Sequence, residues 1–219
     1  MKTQIISYSQ SPLINDLGKD TSLLGLIAYC ARVSNPENQH NTATNEKLVK
    51  YLMKHKHWSP LEMVSVCMEV ETTRDIARQL LRHRSFSFQE FSQRYADPTK
   101  DLSFEIREAR LQDITNRQNS VEIDDDELQK EWNRHQRRVI HFAEEVYNWA
   151  IKAGIAKEQA RAVLPEGNTV SRLYMNGTLR SWLHYIELRS ENGTQKEHQD
   201  IAIECAKVVS KVFPLLSKG

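Results

Sequence analysis

Glycine is scarce in this chain: seven residues among 219, at positions 18, 25, 154, 167, 177, 193 and 219. Scattered in this way they build neither G-x-G-x-x-G nor a P-loop, which excludes nucleotide binding by either phosphate cradle. Cysteine is scarcer still, at positions 30, 67 and 205, with no C-x-x-C. An odd, sparse set fits a reducing compartment and no disulfide framework. Each cysteine stands among apolar neighbours, as in Val66-Cys67-Met68. Packing, not nucleophilic attack, is the expectation for all three. Long apolar runs are missing too; Leu23 to Ala31 is the longest and is too short to span a bilayer. The opening MKTQIISYSQ has no signal-peptide core. Charge of one sign is also missing: 30 Lys+Arg against 29 Asp+Glu leave +1. That balance counts against a surface devoted to nucleic acid, which needs excess cation to release counterions. The expectation is a cytoplasmic, soluble protein of one domain over residues 1–219, with no nucleic-acid or membrane partner.

What is present reads as α+β: few strands, several helices, the helices packed on one face of a mainly antiparallel sheet. Thr3 to Tyr8 predicts a strand. Residues 62–71 alternate, with Val64, Val66, Met68 and Val70 on one face. Helices are predicted from Asp20 to Ala31, entered through Thr21 or Ser22, and from Thr44 to Lys54. Another is predicted from Thr73 to His83, with Ile76, Ala77, Leu80 and Leu81 buried. Its extension to Arg84 would place a charge on the apolar stripe, so it should end nearby or Arg84 should meet an anion. Asn116–Asp126 reads as a mobile connection. Leu128, Trp132, His135, Val139, Phe142, Val146 and Trp149 follow at spacings of four and three, the pattern of a helix seam. Asn176-Gly177 is a turn signal. Leu179 to Leu188 is helical, and Thr194-x-x-Glu197 predicts a capping box for a last helix carrying Ile201, Cys205, Val208 and Val212.

The densest chemistry is QLLRHRSFSFQEFSQRY, residues 79–95. Arginine forks and hydroxyls just past a helix suit phosphate or carboxylate, and the aromatics offer flat surfaces for a ring. Ser92 reads as a phosphate ligand; as a nucleophile it lacks a visibly oriented base. Arg161, Arg172, Arg180 and Arg189 lie close to predicted element ends, where they could serve a polyanion. His55-Lys56-His57 has no completing ligands, so no metal site is expected.

Arg82-His83-Arg84, seven residues and then Ser92-x-Arg94 resembles the signature of flavin-dependent thymidylate synthases. Ala31-Arg32-Val33-Ser34, His57-x-Ser59-x-x-Glu62, Ala160-Arg161-x-Val163-Leu164-Pro165 and Arg180-Ser181-Trp182 through Arg189 resemble further family segments, in order. The resemblance covers about residues 20–213. It implies an α+β homotetramer with FAD sites shared between subunits. It implies reductive methylation of dUMP to dTMP, with 5,10-methylenetetrahydrofolate as carbon donor and NADPH as reductant, and no cysteine nucleophile. Carried over by position, Ser59, Arg82, His83, Arg84, Glu90, Thr178, Arg180 and His184 match flavin-contacting residues. Gln79, Arg82, Glu90, Ser92, Gln93, Arg94, Arg161 and Arg189 match dUMP-contacting ones. Arg189 matches the arginine that stabilises ionised uracil N3. Three positions depart from the pattern: Met63 and Gly193 stand where His is common, and Thr178 where Asn is common. A non-catalytic nucleotide- or RNA-binding module and a member without activity are the alternative readings; the near-neutral charge counts against the first.

Overall fold

The computed structural model describes residues 2–11 and 20–218. Four strands form one antiparallel sheet: β1 (Lys2–Tyr8), β2 (Ser65–Thr73), β3 (Phe86–Glu90) and β6 (Val170–Thr178), in the order β1-β2-β6-β3. Two short strands, β4 (Arg110–Gln112) and β5 (Ser120–Glu122), make a separate hairpin. The helices are α1 (Leu23–Ala31), α2 (Asn45–Lys54), α3 (Arg74–Leu80), α4 (Pro98–Asp101), α5 (Asp126–Lys152), α6 (Lys157–Ala160), α7 (Leu179–Ser190) and α8 (Lys196–Ser210).

The alternation in β2 fixes which side of the sheet is covered. Val66, Met68 and Val70 are fully buried, as are Leu173 and Met175 opposite them on β6. Ile27, Val49, Ile76, Leu80, Trp182, Ile201 and Cys205, from five helices, complete that core. Burying side chains of this size stabilises by about 1.5–3 kcal/mol each. The other face is polar: Gln4 donates to Glu69 at 2.7 Å, and Arg172 pairs with Glu71 at 2.5 Å. Arg172 is therefore engaged within the sheet. Arg32 is also structural; buried, it donates to Asn45 and Thr44 and so ties α1 to α2.

Several expectations are corrected. Asn176-Gly177 is no turn; it lies in β6, a central strand, paired with Val66, Cys67, Phe86 and Ser87. A Cβ on Gly177 would stand 2.4 Å from the Phe86 ring, so glycine here serves close approach, not chain reversal. Residues 116–126 are no loose connection: they finish the turn of the hairpin, supply β5 and enter α5. The Asp113 carboxylate accepts from Thr115 N (2.7 Å), Asn116 N (3.0 Å) and Asn119 Nδ2 (2.9 Å), which fixes that turn. The capping box does not form. Gln195, not Thr194, stands at the N-cap of α8 and makes no side-chain capping bond, and Glu197 turns instead to Arg110 and Gln195. Leu81 lies past the end of α3 and is exposed. The α5 seam also faces solvent: Val139 is 53%, Phe142 67% and Trp149 62% exposed, and His135 pairs with Glu131 at the surface. The buried side of α5 is instead Gln136, Ala143, Tyr147 and Ala150, and the last two pack with Ala160 and Leu164.

Candidate active site

The apolar stripe of α3 runs out at Leu80, and the charged residues after it cannot continue into the core. The chain turns at once: His83 N bonds Leu80 O and Phe86 N bonds His83 O, so residues 82–85 form a tight corner before β3. Arg82 and Arg84 are exposed on it, with no ion pair among the described residues. Ser181 Oγ donates to Ser85 O at 3.2 Å, which pins the corner to the first turn of α7.

The expected site residues fall into three groups. The first joins α3 to α7. Arg189 Nε donates to His83 Nε2 at 3.0 Å, and the His83 ring stands edge-on to Tyr185. Burial first, then Arg189 and Arg82, lower the His83 pKa, so the ring is neutral at pH 7 and accepts this bond. Among the described residues the two terminal nitrogens of Arg189 have no partner. Gln79 sits in the same group, against His198.

The second group surrounds a cleft of about 290 Å³ lined in part by Arg74, Arg78, Gln93, Glu158, Arg161 and Glu166. Gln93 is 4% exposed and its Nε2 has no partner, a buried donor left open toward an acceptor. Arg94 pairs with Glu158 at 3.2 Å, and Arg161 Nε donates to Glu158 O. Glu90 accepts from Ser171 Oγ at 2.7 Å and lies 3.6 Å from Arg74. Ser92 follows β3, and its hydroxyl accepts from Arg94 N at 3.4 Å.

The third group flanks the start of α7. Thr178 caps the helix through Ser181 N, a role asparagine would also fill. Arg180 pairs with Glu62, and His184 stands edge-on to Trp58 beside the 3-10 turn that opens at Ser59. Nine residues at 3.6 per turn put Arg180 and Arg189 on opposite faces of α7, about 13 Å apart along its axis.

Burial raises the pKa of Cys30, Cys67 and Cys205, so none is poised as a thiolate.

A family described as thymidylate synthase complementing protein matches residues 17–215. The chain belongs to the thymidylate synthase complementing protein family. It is 50% identical over 194 residues to a probable flavin-dependent thymidylate synthase of Paramecium bursaria Chlorella virus 1, covering 89% of this chain and 88% of that one. It is 46% identical over 217 residues to the flavin-dependent thymidylate synthase of Synechocystis sp., covering 99% and 98%. Among solved structures it is similar to the UMP/dUMP methylase PolB from Streptomyces cacaoi bound with 5-Br UMP. The TM-score is 0.78 at 26% identity, covering 96% of this chain and 89% of that one.

Within this family fold, some of the residues that shape the groups escaped the sequence. Arg74 and Glu166 stand beside Glu90 and Arg78. Arg74 is four before Arg78, the same face of α3, and that spacing was the available signal. Gln195 and His198, which hold Gln79, carried none, because the segment read as a cap. A cleft of about 950 Å³ between the hairpin, the start of α5 and residues 192–199 contains none of the expected site residues. Size alone does not point to the arginine groups.

Proposed function

We propose that this chain is a flavin-dependent thymidylate synthase, methylating dUMP reductively to dTMP. Its flavin is FAD, its carbon donor is 5,10-methylenetetrahydrofolate, which leaves as tetrahydrofolate, and its reductant is NADPH. The observation that carries the reading is Arg189 held by neutral His83, in a chain that belongs to this family over most of its length. A guanidinium fixed at one nitrogen, with its other nitrogens open, is a preorganised cation for a pyrimidine that must take up negative charge. Arg189 is assigned that role at ionised N3. Gln79 and Arg82 are assigned to the same nucleotide. So are Glu90, Ser92, Gln93, Arg94 and Arg161, with the open Gln93 amide as a ready donor to phosphate.

The donors around the corner fit a dinucleotide. Arg82 and Arg84 are exposed cations, and half-buried Arg180 is paired with Glu62; Ser59, His83, Glu90, Thr178 and His184 complete the flavin set. Arginine forks hold phosphates without a glycine loop. Bound there, the flavin supplies the redox chemistry that no side chain of the chain can. The protein's share is to orient the nucleotide against it and to stabilise charge on the ring.

Assembly as a homotetramer with shared flavin sites belongs to the same proposal. Arg180 and His184 face away from Arg189 across α7, so within one chain the flavin residues of α7 and the nucleotide-side arginine lie on opposite faces of the helix. The exposed apolar stripe of α5 is a surface of the kind that subunits cover. We read residues 1–219 as one domain, because Arg107 links Gln136 of α5 to Thr73 and Asp75 beside the sheet. The free cysteines support a cytoplasmic location. Among the described residues no helix is long and apolar enough to cross a membrane.

The purified protein should be yellow and should oxidise NADPH when dUMP and methylenetetrahydrofolate are both present. A colourless protein that takes up no added FAD would refute the proposal. Arg189→Ala should lower turnover by about 10²–10³-fold with flavin content and folding retained. Undiminished turnover in that variant would remove Arg189 from its assigned role.

A further inference from the structure

Behind Gln79 lies a chain of hydrogen bonds built by the start of α8. His198 is fully buried, and its Nδ1 stands 3.1 Å from Gln79 Oε1. Gln79 Nε2 donates to Gln195 Oε1 at 2.8 Å, and Gln195 Nε2 donates to Glu197 Oε2 at 2.9 Å. Glu197 is anchored in turn by Arg110 from the hairpin. The direction of the chain is forced. A carboxylate only accepts, so Gln195 must give it an N–H and receive Gln79's N–H on its own oxygen. Gln79 then turns its oxygen to His198, whose Nδ1 must carry the proton. His198 Nε2 is buried without a partner, as suits a neutral ring. Burial first, then Arg189 and His83, hold its pKa down at about 4.

An amide anchored at both ends cannot flip. Gln79 keeps one N–H and one oxygen lone pair free, in a fixed order. At C4 uracil presents a carbonyl oxygen, an acceptor, whereas cytosine presents an amino group, a donor; N3 is left to Arg189. A glutamine free to flip reads either base; a locked one reads one of them. We propose that His198 is a positioning residue that locks the Gln79 amide and thereby sets the preference for dUMP over its 4-amino analogue dCMP. This rests on the dUMP reading above.

The test is nucleotide affinity of the flavin-loaded enzyme, followed by the change in flavin absorption on titration with dUMP and with dCMP. His198→Leu removes the donor; His198→Asn keeps an amide N–H near the place of Nδ1. His198→Leu should narrow the dUMP-over-dCMP preference by about tenfold, the worth of one hydrogen bond. His198→Asn should restore it to within about twofold of the parent. Gln195→Met cuts the other anchor without touching His198 and should narrow the preference too. That variant carries the test if His198→Leu does not fold. A preference unchanged in both Gln195→Met and a folded, flavin-loaded His198→Leu would overturn the proposal. So would loss of preference in Asn equal to that in Leu. A parent that binds flavin but not dUMP would overturn the nucleotide reading itself, and this inference with it.

Discussion

Helices α5 and α8 carry the same signal, apolar residues at spacings of four and three, and meet opposite fates. On α8, Ile201, Cys205 and Val208 lie against the sheet, at most 8% exposed. On α5, Val139, Phe142 and Trp149 are more than half exposed. The side of α5 that the chain does cover is partly polar. Gln129 exchanges two hydrogen bonds with the backbone of Ala109, and Gln136 exchanges two with that of Arg107. Two glutamines seven residues apart thus grip an extended segment through amide pairs. The period of a hydrophobic pattern identifies a helix and its apolar face. It does not say whether that face is covered by the same chain.

The comparison breaks most sharply in the core. Trp182 is fully buried, donates from Nε1 to Val66 O at 2.9 Å and packs edge-on to Phe86. Trp182→Ala should cost about 3–5 kcal/mol in urea denaturation, the cavity adding to the lost transfer energy. A loss comparable to that of an α5 surface substitution would erase the distinction drawn here.

The next effect is a pH dependence seated in the α8 region. The folded state holds His198 at about 4, below its ordinary value of 6.5. Between those values the unfolded chain binds the extra proton, so stability is full above pH 6.5 and is lost as pH falls toward 4. His83, also lowered, acts in the same sense. The His198 contribution is on the order of 3 kcal/mol over the window. Denaturation midpoints measured from pH 7 to 4.5 should fall, and should fall less steeply in His198→Leu. Parallel curves would mean that His198 is not the titrating group.

The sheet and its covering helices were legible because their sequence patterns have a single reading. The alternation of Val66, Met68 and Val70 has one period, and Ser22, one of the two entry residues expected for α1, is its cap. Gly177 was misread because glycine after asparagine serves a turn, whereas here it makes room for Phe86, a partner 91 positions earlier in the chain. Glu197 was misread for the same reason: Arg110, its partner, sits 87 positions away. The arginines of the site were legible as a motif. Their division into three groups was not, because it depends on which face of α7 each residue occupies and on the corner after α3. The amide lock on Gln79 was invisible, since only the tertiary fold brings α8 to the end of α3.

The smallest effect on the isolated fold should be the largest on assembly. Phe142 and Trp149 are seven residues apart on the exposed stripe of α5, two turns along one face. Replacing both by Asp removes no intrachain packing of consequence, so subunit stability should stay within about 0.5 kcal/mol per site. It would, however, place two charges in any interface that stripe forms, and burying unpaired carboxylates there is prohibitive. Light scattering should therefore show the tetramer proposed for the parent reduced to smaller species, with unchanged far-ultraviolet circular dichroism. Because Arg180 and His184 face away from Arg189, the dissociated subunits should also lose bound flavin. A double variant that remains tetrameric would show that α5 is exposed in the assembly as well. The apolar seam would then need an explanation other than a neighbouring subunit.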